Sequence, residues 1–205
     1  GVSGGSIDSM VANYTALKKK RRTDDYTPGG INDRRPDRAA IVYSNLIRRY
    51  FKNTRPIVLG GIEASLRRIA HYDYWDNRIR RSVLFDARAD LLVYGMGEQA
   101  MMTIADRLNA GQSTDDIPGV CRISRTAPQG FCELPAFEEV VRDERAFEPQ
   151  QRQQADDPAQ VGLPQGLLPV VHQTAGRHLF RGDPPGREKM KRPFRCWIAV
   201  WKYCP

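Results

Sequence analysis

The chain has 205 residues, of which 40% are hydrophobic and 27% charged, and a formal net charge of +8. This length and composition predict one sizeable globular domain plus a tail, and they exclude a fibrous or wholly disordered chain. No secretory signal is visible and no apolar run approaches the roughly 18 residues of a membrane helix, so we expect a cytoplasmic protein without a membrane partner. The scattered Cys121, Cys132, Cys196 and Cys204 predict neither a disulfide framework nor a chelating motif.

Three stretches of the chain share one plan: "GVSGGSIDSM" (1–10), "IVLGGIEASL" (57–66) and "LVYGMGEQAM" (92–101). Each runs from small or β-branched apolar residues through paired glycines to an acid and then to helix-compatible sequence. We predict that each is the carboxyl end of a buried strand turning into a helix, because glycine permits positive φ there. The acids Asp8, Glu63 and Glu98 should then lie near helix N-termini, where a negative charge stabilises by about 0.3–1 kcal/mol.

Between the first two corners, the sequence predicts a loop and a helix. The basic run 18–22 is expected to be the solvated C-terminal end of the first helix, because cations favour that position. Residues 24–37 are rich in turn formers and predict a loop. Residues 36–51 predict a helix with Pro36 in its first turn, and its apolar face carries Ala40, Tyr43, Ile47 and Tyr50.

The third corner opens a helix predicted over 97–111, with Gly111 as its C-cap. Its apolar face carries Met101, Ile104, Ala105 and Leu108. Helices alternating with buried strands predict the α/β class, with a Rossmann-like parallel sheet and flanking helices. We assign residues 1–145 to this domain. Residues 146–205 are rich in Pro, Gln and Arg without a sustained hydrophobic period, which predicts a poorly structured tail.

The glycine turns are one candidate site, formed by Gly60, Gly61, Gly95 and Gly97 together with Glu63 and Glu98. Ligands of open α/β sheets bind at the carboxyl ends of the strands, where helix N–H groups hold anions. Neither GxGxxG nor GxxxxGK[ST] is present, so the nucleotide-binding interpretation lacks its fingerprint. A purely structural role for these glycines is the favoured interpretation.

The segment "RRIAHYDYW" (67–75) is the second candidate. His71 and Asp73 are a possible acid–base pair, and Arg67 and Arg68 are a possible anion clamp. The aromatic side chains of Tyr72, Tyr74 and Trp75 could stack on a flat ring. The favoured alternative is that the aromatic residues pack under a loop and that His71 is hydrogen-bonded. The alternating charges that follow, over 78–90, predict a salt-bridged surface.

Five strings in the sequence resemble one known family: "DSMVANYTALKKKRR", "DDYTPGG", "RPDRAAIVYSNLIRRYF", "PIVLGGIEASLRRIAHYDYW" and "RRSVLFDARADLLVYGMGEQA". Over residues 1 to about 145 the chain resembles the N-terminal region of YgiQ-type (UPF0313) radical SAM proteins. The resemblance implies a cobalamin-binding-type α/β domain that precedes a barrel. In that barrel a CxxxCxxC motif would hold a 4Fe-4S cluster, which cleaves S-adenosylmethionine to start radical chemistry on an unknown substrate. It also implies that Arg67, Arg68, His71, Asp73 and Trp75 contact the barrel or its substrate.

The chain departs from this pattern in several places. It contains no CxxxCxxC and no Asp-x-His-x-x-Gly, the cobalt-ligating signature of many cobalamin domains. The first strands expected before Gly1 are absent, and the resemblance to the family ends near Phe147. We therefore expect a truncated chain that holds no cofactor and is inactive alone. Our hypothesis for its tail is a frameshifted or mispredicted reading frame that ends in a premature stop. Two alternatives remain: a small-ligand or nucleotide-binding module, and a basic nucleic-acid-binding protein using residues 18–22. The last is ranked lowest because no RNA-recognition motif is apparent.

Overall fold

The computed structural model describes residues 1–124, 131–143, 170–175 and 196–200. In chain order its elements are β1 (Val2–Ser3), α1 (Ser9–Asn13), α2 (Ala39–Tyr50), β2 (Val58–Gly60), α3 (Gly61–Leu66), β3 (His71–Asp73), β4 (Arg78–Arg80), α4 (Val83–Ala87), β5 (Leu91–Val93), α5 (Glu98–Asn109), β6 (Val120–Ser124), β7 (Phe131–Glu133), α6 (Phe137–Arg142), β8 (Val170–Ala175) and β9 (Cys196–Val200). No helix in these ranges is long and apolar enough to cross a membrane.

A seven-stranded sheet with the order β1-β2-β5-β6-β9-β8-β7 organises the fold, and β3 and β4 form a separate hairpin. The strands β1, β2 and β5 are parallel neighbours, as the alternation of helices and strands predicts. Beyond β5 the sheet is mixed, because β6, β9 and β8 pair in antiparallel fashion while β7 runs parallel to β8. The predicted α/β class with flanking helices is confirmed. The sheet is parallel over β1, β2 and β5, but it is mixed rather than wholly parallel, because β6 and β9 add antiparallel pairs.

The core lies on both faces of the sheet. Leu59 and Leu92 face a cluster that includes residues of α3 and α4 and is covered by Ile41 and Ile47 of α2. Val58, Leu91 and Val93 face the opposite way, towards Ile104 of α5. Side chains alternate along a strand, so β2 and β5 are buried on both faces. Each fully buried leucine contributes about 1.5–3 kcal/mol, and this burial fixes the strand ends that carry the corners.

The helix α2 differs from its prediction in its start and its face. It begins at Ala39 rather than in the region of Pro36, after Arg38 adopts a left-handed backbone conformation (φ 51°). Its buried residues are Ala39, Ala40 and Ser44, whereas Tyr43 and Tyr50 are exposed. The predicted face is therefore wrong for both tyrosines. Small side chains, not the aromatic ones, allow α2 to approach β1 and α4 closely.

The helix α5 agrees with its prediction in length but not in its whole face. It ends with Ala110 as C-cap, and Gly111 follows at φ +67°, where glycine commonly terminates a helix. Ile104 is buried and Met101 packs against the core, while Ala105 and Leu108 are exposed. The contacting stripe is thus narrower than the sequence indicates.

The basic run 18–22 does not end a helix, so that prediction is wrong. The helix α1 stops at Asn13, and the chain continues through an isolated bridge that pairs Tyr14 with Lys20. The Asn13 side chain donates to Arg35 O (3.1 Å) and to Asp37 Oδ1 (2.8 Å). These long-range hydrogen bonds tie the helix end to the start of α2, and the five cations lie in a loop.

The prediction of a poorly structured tail over 146–205 lies mostly outside the described residues. The part that is described forms β8 and β9, which pair with each other and join the sheet through β6. Neither strand was expected from the hydrophobic pattern. The proposed domain boundary at 145/146 stays a prediction.

Candidate functional site

Three strand-to-helix corners meet at the carboxyl edge of β1, β2 and β5, as the sequence predicts. Gly5, Gly61 and Gly95 have positive φ at these corners, whereas Gly60 is extended. A Cβ on Gly61 would lie 2.7 Å from Ser3 Oγ, and a Cβ on Gly97 would lie 2.7 Å from Val93 Cγ1. Glycine is therefore required at Gly61 and Gly97 by the fold itself, which supports the structural interpretation of these turns.

The three acids of the corners lie at helix starts, but they differ in environment. Asp8 is the N-cap of α1 and accepts from the N–H groups of Met10 (2.9 Å) and Val11 (3.4 Å). Glu98 is exposed at the first residue of α5. Glu63, in the first turn of α3, is only 2% exposed. Burial at that level demands hydrogen-bond partners for the carboxylate.

The partners of Glu63 belong to two other helices. Its Oε2 accepts from Ser9 N (3.1 Å), the first residue of α1, and its Oε1 accepts from Ala40 N (3.1 Å) in α2. Ser9 Oγ in turn accepts from Ala39 N (3.0 Å). One carboxylate thus satisfies backbone donors at two helix N-termini that lie far apart in sequence. The charge of Glu63, its hydrogen bonds to two helix N-termini and its burial therefore act at one contact between α1, α2 and α3, which we call the Glu63 joint.

Arg67 completes this joint. Its Nη1 forms an ion pair with Asp8 Oδ2 and donates to the Glu63 carbonyl (3.2 Å). Arg68 is directed elsewhere: it donates to Ser65 O (2.7 Å), and its guanidinium lies 4.8 Å from the centroid of the Tyr94 ring. The two arginines predicted as an anion clamp therefore hold different parts of the domain.

Asp73 is the centre of a second buried network, on the hairpin of β3 and β4. Its Oδ2 accepts from Arg38 Nε (3.1 Å) and Nη2 (2.8 Å), and its Oδ1 accepts from the N–H groups of Trp75 (2.9 Å) and Asp76 (3.1 Å). Burial alone would raise the pKa of Asp73, but these hydrogen bonds and the charge of Arg38 outweigh it and lower the pKa. Asp73 is therefore ionised and fully engaged, and it orients the start of α2 rather than a reacting group.

His71 shares the strand with Asp73 but is hydrogen-bonded to a different group. Its Nδ1 lies 3.1 Å from Ile69 O, and since a carbonyl can only accept, Nδ1 carries the proton. Its Nε2 is buried and has no hydrogen-bond partner among the described residues. Burial lowers the pKa of His71 to about 4, so the ring is neutral near pH 7. This neutral imidazole matches the favoured alternative of the sequence analysis, in which His71 is hydrogen-bonded within the domain.

The aromatic residues of the same hairpin connect it to the loop that contains the basic run 18–22. Trp75 lies against Tyr14 (centroids 5.3 Å apart) and Tyr74 (5.4 Å). The Tyr74 hydroxyl donates to Ala16 O (2.7 Å), and the Tyr72 hydroxyl donates to Asn77 Oδ1 (2.6 Å). Trp75 is thus a packing residue between two segments, while Tyr72 and Tyr74 remain half exposed.

The charges between 78 and 90 form the salt-bridged surface that the sequence predicts. Arg80 Nη2 and Arg81 Nε both pair with Asp86, at 2.9 and 2.7 Å. Arg80 also pairs with Asp76 (2.9 Å), and Asp90 pairs with Arg48 (2.5 Å). Asp76 also pairs with Arg78 (3.3 Å), so the three arginines of 78–81 are all paired, which leaves those three little capacity for an external anion.

Sequence reasoning missed three residues of these networks. Arg38 was overlooked because only the fold brings it to Asp73 and Asp76. Ser9 was overlooked because its partners lie on α2 and α3. Asp76 could have been predicted from the sequence. An aspartate commonly begins a turn by accepting from the backbone N–H groups two and three residues further on, and Asp73 does so with Trp75 and Asp76.

The His, Cys, Asp and Glu side chains of the described residues do not fit a metal cluster. Within the described ranges no group of three or more His, Cys, Asp or Glu residues could hold a metal ion. Cys121 is completely buried in β6, where it packs in the core with Leu92. With no CxxxCxxC in the sequence, no cluster or S-adenosylmethionine chemistry is derived from this chain's residues.

These features define a class: an α/β domain whose parallel strands end in glycine corners, joined by buried acids and without a metal centre in its described part. The chain belongs to the radical SAM N-terminal family, whose model matches residues 1–193. This confirms the resemblance drawn from the five strings.

Relatives of this chain carry the description UPF0313 protein. One from Fusobacterium nucleatum is 55% identical over 147 residues, covering 71% of this chain and 26% of the relative. One from Thermotoga maritima is 57% identical over 150 residues, covering 72% and 26%. One from Clostridium botulinum is 51% identical over 151 residues, covering 71% and 24%. The chain thus spans about a quarter of the length of these curated relatives. No solved structure matches it.

Proposed function

We propose that this chain supplies the N-terminal α/β domain of a radical SAM protein. In the whole protein, a 4Fe-4S cluster and S-adenosylmethionine would supply a 5′-deoxyadenosyl radical for reaction with an unknown substrate. The family match over residues 1–193 is the observation that carries this proposal. The relatives are about four times as long as the matched region, which leaves room for a cluster-binding barrel outside it.

The domain would contribute a docking surface rather than a reacting group. Arg67, His71 and Asp73 are engaged within the domain, so they offer little to a neighbouring barrel. Apolar side chains are exposed at the carboxyl edge instead: Ile62 and Leu66 lie one turn apart on α3, and Met96 follows β5. We place the contact with the barrel at this edge, because a large exposed apolar group commonly marks an interface.

Anaerobic cluster reconstitution tests the proposal. This chain and a whole family protein that carries CxxxCxxC would be loaded with iron and sulfide in parallel, reduced and given S-adenosylmethionine. We expect the whole protein to bind a 4Fe-4S cluster and release 5′-deoxyadenosine, and this chain to do neither. Replacing the motif cysteines of the whole protein with alanine is the control, and it should abolish both signals. A stoichiometric cluster with 5′-deoxyadenosine formation by this chain alone would contradict the proposal.

A further inference from the structure

The basic loop, defined as residues 15–23, holds five consecutive cations from Lys18 to Arg22 and no acid. At the end of a helix such charges would be offset by the helix dipole. Here α1 has already ended at Asn13, so no dipole compensates them. All five residues are exposed.

The loop is held in one conformation by hydrogen bonds to the domain. Arg21 N donates to Asn13 O (2.8 Å), and Asn32 N donates to Arg22 O (3.2 Å). The Asn32 side chain donates to the carbonyls of Asn13 (3.2 Å) and Arg21 (3.1 Å). The positive charges therefore project from a fixed backbone, which lowers the entropy cost of binding a partner.

None of the five cations forms an ion pair with an acid in the part of the chain that the structure describes, and two of the five are held by other contacts. Lys18 is engaged, with Nζ 4.6 Å from the Tyr74 ring centroid and 3.3 Å from Trp75 O. Arg21 Nε donates to the carbonyls of Val11 and Tyr14. Lys19, Lys20 and Arg22 are exposed and have no ion pair. This contrasts with the arginines of 78–81, which all pair with aspartates.

The nearby acids are mostly occupied. Asp24 is buried and paired with Arg35 (2.8 Å), and Asp37 accepts from Tyr14 (2.7 Å) and Asn13 (2.8 Å). Asp25 is exposed beside the loop, which leaves a local excess of positive charge. An external polyanion is the partner that this excess attracts.

Flat aromatic surface lies beside these charges. Tyr72 lies on β3 between the half-buried His71 and the buried Asp73, and Tyr74 follows the strand directly. Each tyrosine is 47% exposed. Lys18 joins Tyr74 to the loop, so the outer face of the hairpin and the cations are adjacent. Cations for phosphates combined with rings for base stacking are the pattern of single-stranded nucleic-acid surfaces. An acidic polypeptide would use the cations but not the rings.

We propose that the basic loop and the outer face of the hairpin bind single-stranded nucleic acid. Lys19, Lys20 and Arg22 contact phosphates, and Tyr72 and Tyr74 stack on bases. This inference does not depend on the proposed radical chemistry. It uses residues 15–23 and 72–74, none of which belongs to the apolar edge assigned to the barrel.

Fluorescence anisotropy with a labelled mixed-sequence oligoribonucleotide, repeated with the matching oligodeoxyribonucleotide, tests it on the whole chain. Three phosphate contacts predict a slope of about −2 when the logarithm of the binding constant is plotted against that of the salt concentration. The triple variant Lys19→Gln, Lys20→Gln, Arg22→Gln should remove most of that slope. Tyr72→Leu, which leaves the hydrogen bond from Tyr74 to the loop in place, should weaken binding about fivefold or more without changing the slope.

A charge-matched control is available at the end of α2. Arg49→Gln, Lys52→Gln, Arg55→Gln removes the same three positive charges from an exposed segment away from the loop, and it should leave affinity within about twofold. Far-UV circular dichroism checks that each variant is folded. Equal losses of affinity in both triple variants would overturn the proposal, because they would indicate that the chain attracts nucleic acid through its net charge alone. So would equal competition by polyglutamate, which would indicate an acidic protein partner, or the absence of saturable binding at low salt.

Discussion

Removing the carboxylate of Glu63 should destabilise the domain more than removing any exposed acid. In Glu63→Ala the N–H groups of Ser9 and Ala40 lose their acceptor, and both residues are buried. An unsatisfied buried donor costs about 1–3 kcal/mol, so two of them predict a loss of about 3 kcal/mol. Glu63→Gln keeps one carbonyl acceptor and should lose roughly half of that.

Urea unfolding followed by circular dichroism measures this change. With a slope of about 1–3 kcal/mol per molar urea, the Glu63→Ala midpoint should fall by about 1 M or more. Glu98→Ala is the matched control, because Glu98 also follows a glycine corner and opens a helix but is exposed. It loses only a dipole interaction of about 0.3–1 kcal/mol. If Glu63→Ala costs no more than Glu98→Ala, the joint described for Glu63 is not what holds α1 and α2.

Three further predictions use the same unfolding measurement. Gly61→Ala should cost about 1–2 kcal/mol from its left-handed backbone alone and more from the contact with Ser3 Oγ, whereas the extended Gly60 has open space for a Cβ and Gly60→Ala should be nearly neutral. Asp73→Asn should lower the free energy of unfolding by about 3 kcal/mol, because it leaves Arg38 without its buried partner. Its control, Asp116→Asn, breaks an exposed pair with Arg107 and should cost less than about 1 kcal/mol. Equal losses of stability would contradict the buried role of Asp73. The pKa of His71 is lowered to about 4 in the folded chain, from 6.5, so between these pH values the unfolded chain binds more protons than the folded one. The stabilisation from neutral His71 is therefore complete above pH 6.5 and is lost as the pH falls to 4, by about 1.4 kcal/mol per pH unit. His71→Gln should remove that slope, and an unchanged slope would refute the assignment.

The corners could be predicted from the sequence because their signals are local. Gly61 and Glu63 lie within four residues of the strand end they close, and turn chemistry and dipole preference act over that range. The partners of Glu63 could not be predicted. Its acceptor oxygens bond residues 54 and 23 positions away, and no hydrophobic period encodes those pairs.

The errors on α2 and the basic run have a common physical origin. Periodicity treats Tyr43 and Tyr50 as apolar, but a large ring cannot enter the narrow space that Ala40 and Ser44 fill between α2 and its neighbours. The run 18–22 carries charges typical of a helix end, yet the side chain of Asn13 is bound to Arg35 and Asp37 instead. Tertiary hydrogen bonds thereby override the local preference in the second case and packing overrides it in the first.

The segment 67–75 is distinctive because it joins three parts of the domain, and this explains why neither of the other corners has such a sequence. Arg67 reaches back to α1 through Asp8, Asp73 holds the residue before α2 through Arg38, and Trp75 packs against Tyr14, where the chain enters the basic loop. The long segment 14–38 lies between the first and second corners. The hairpin that follows the second corner anchors this segment. The inner face of that hairpin is used for this anchoring. Its outer face, with Tyr72 and the exposed part of Tyr74, is left available for a partner. The substitution Tyr72→Leu, which tests function there, replaces no residue of the buried networks.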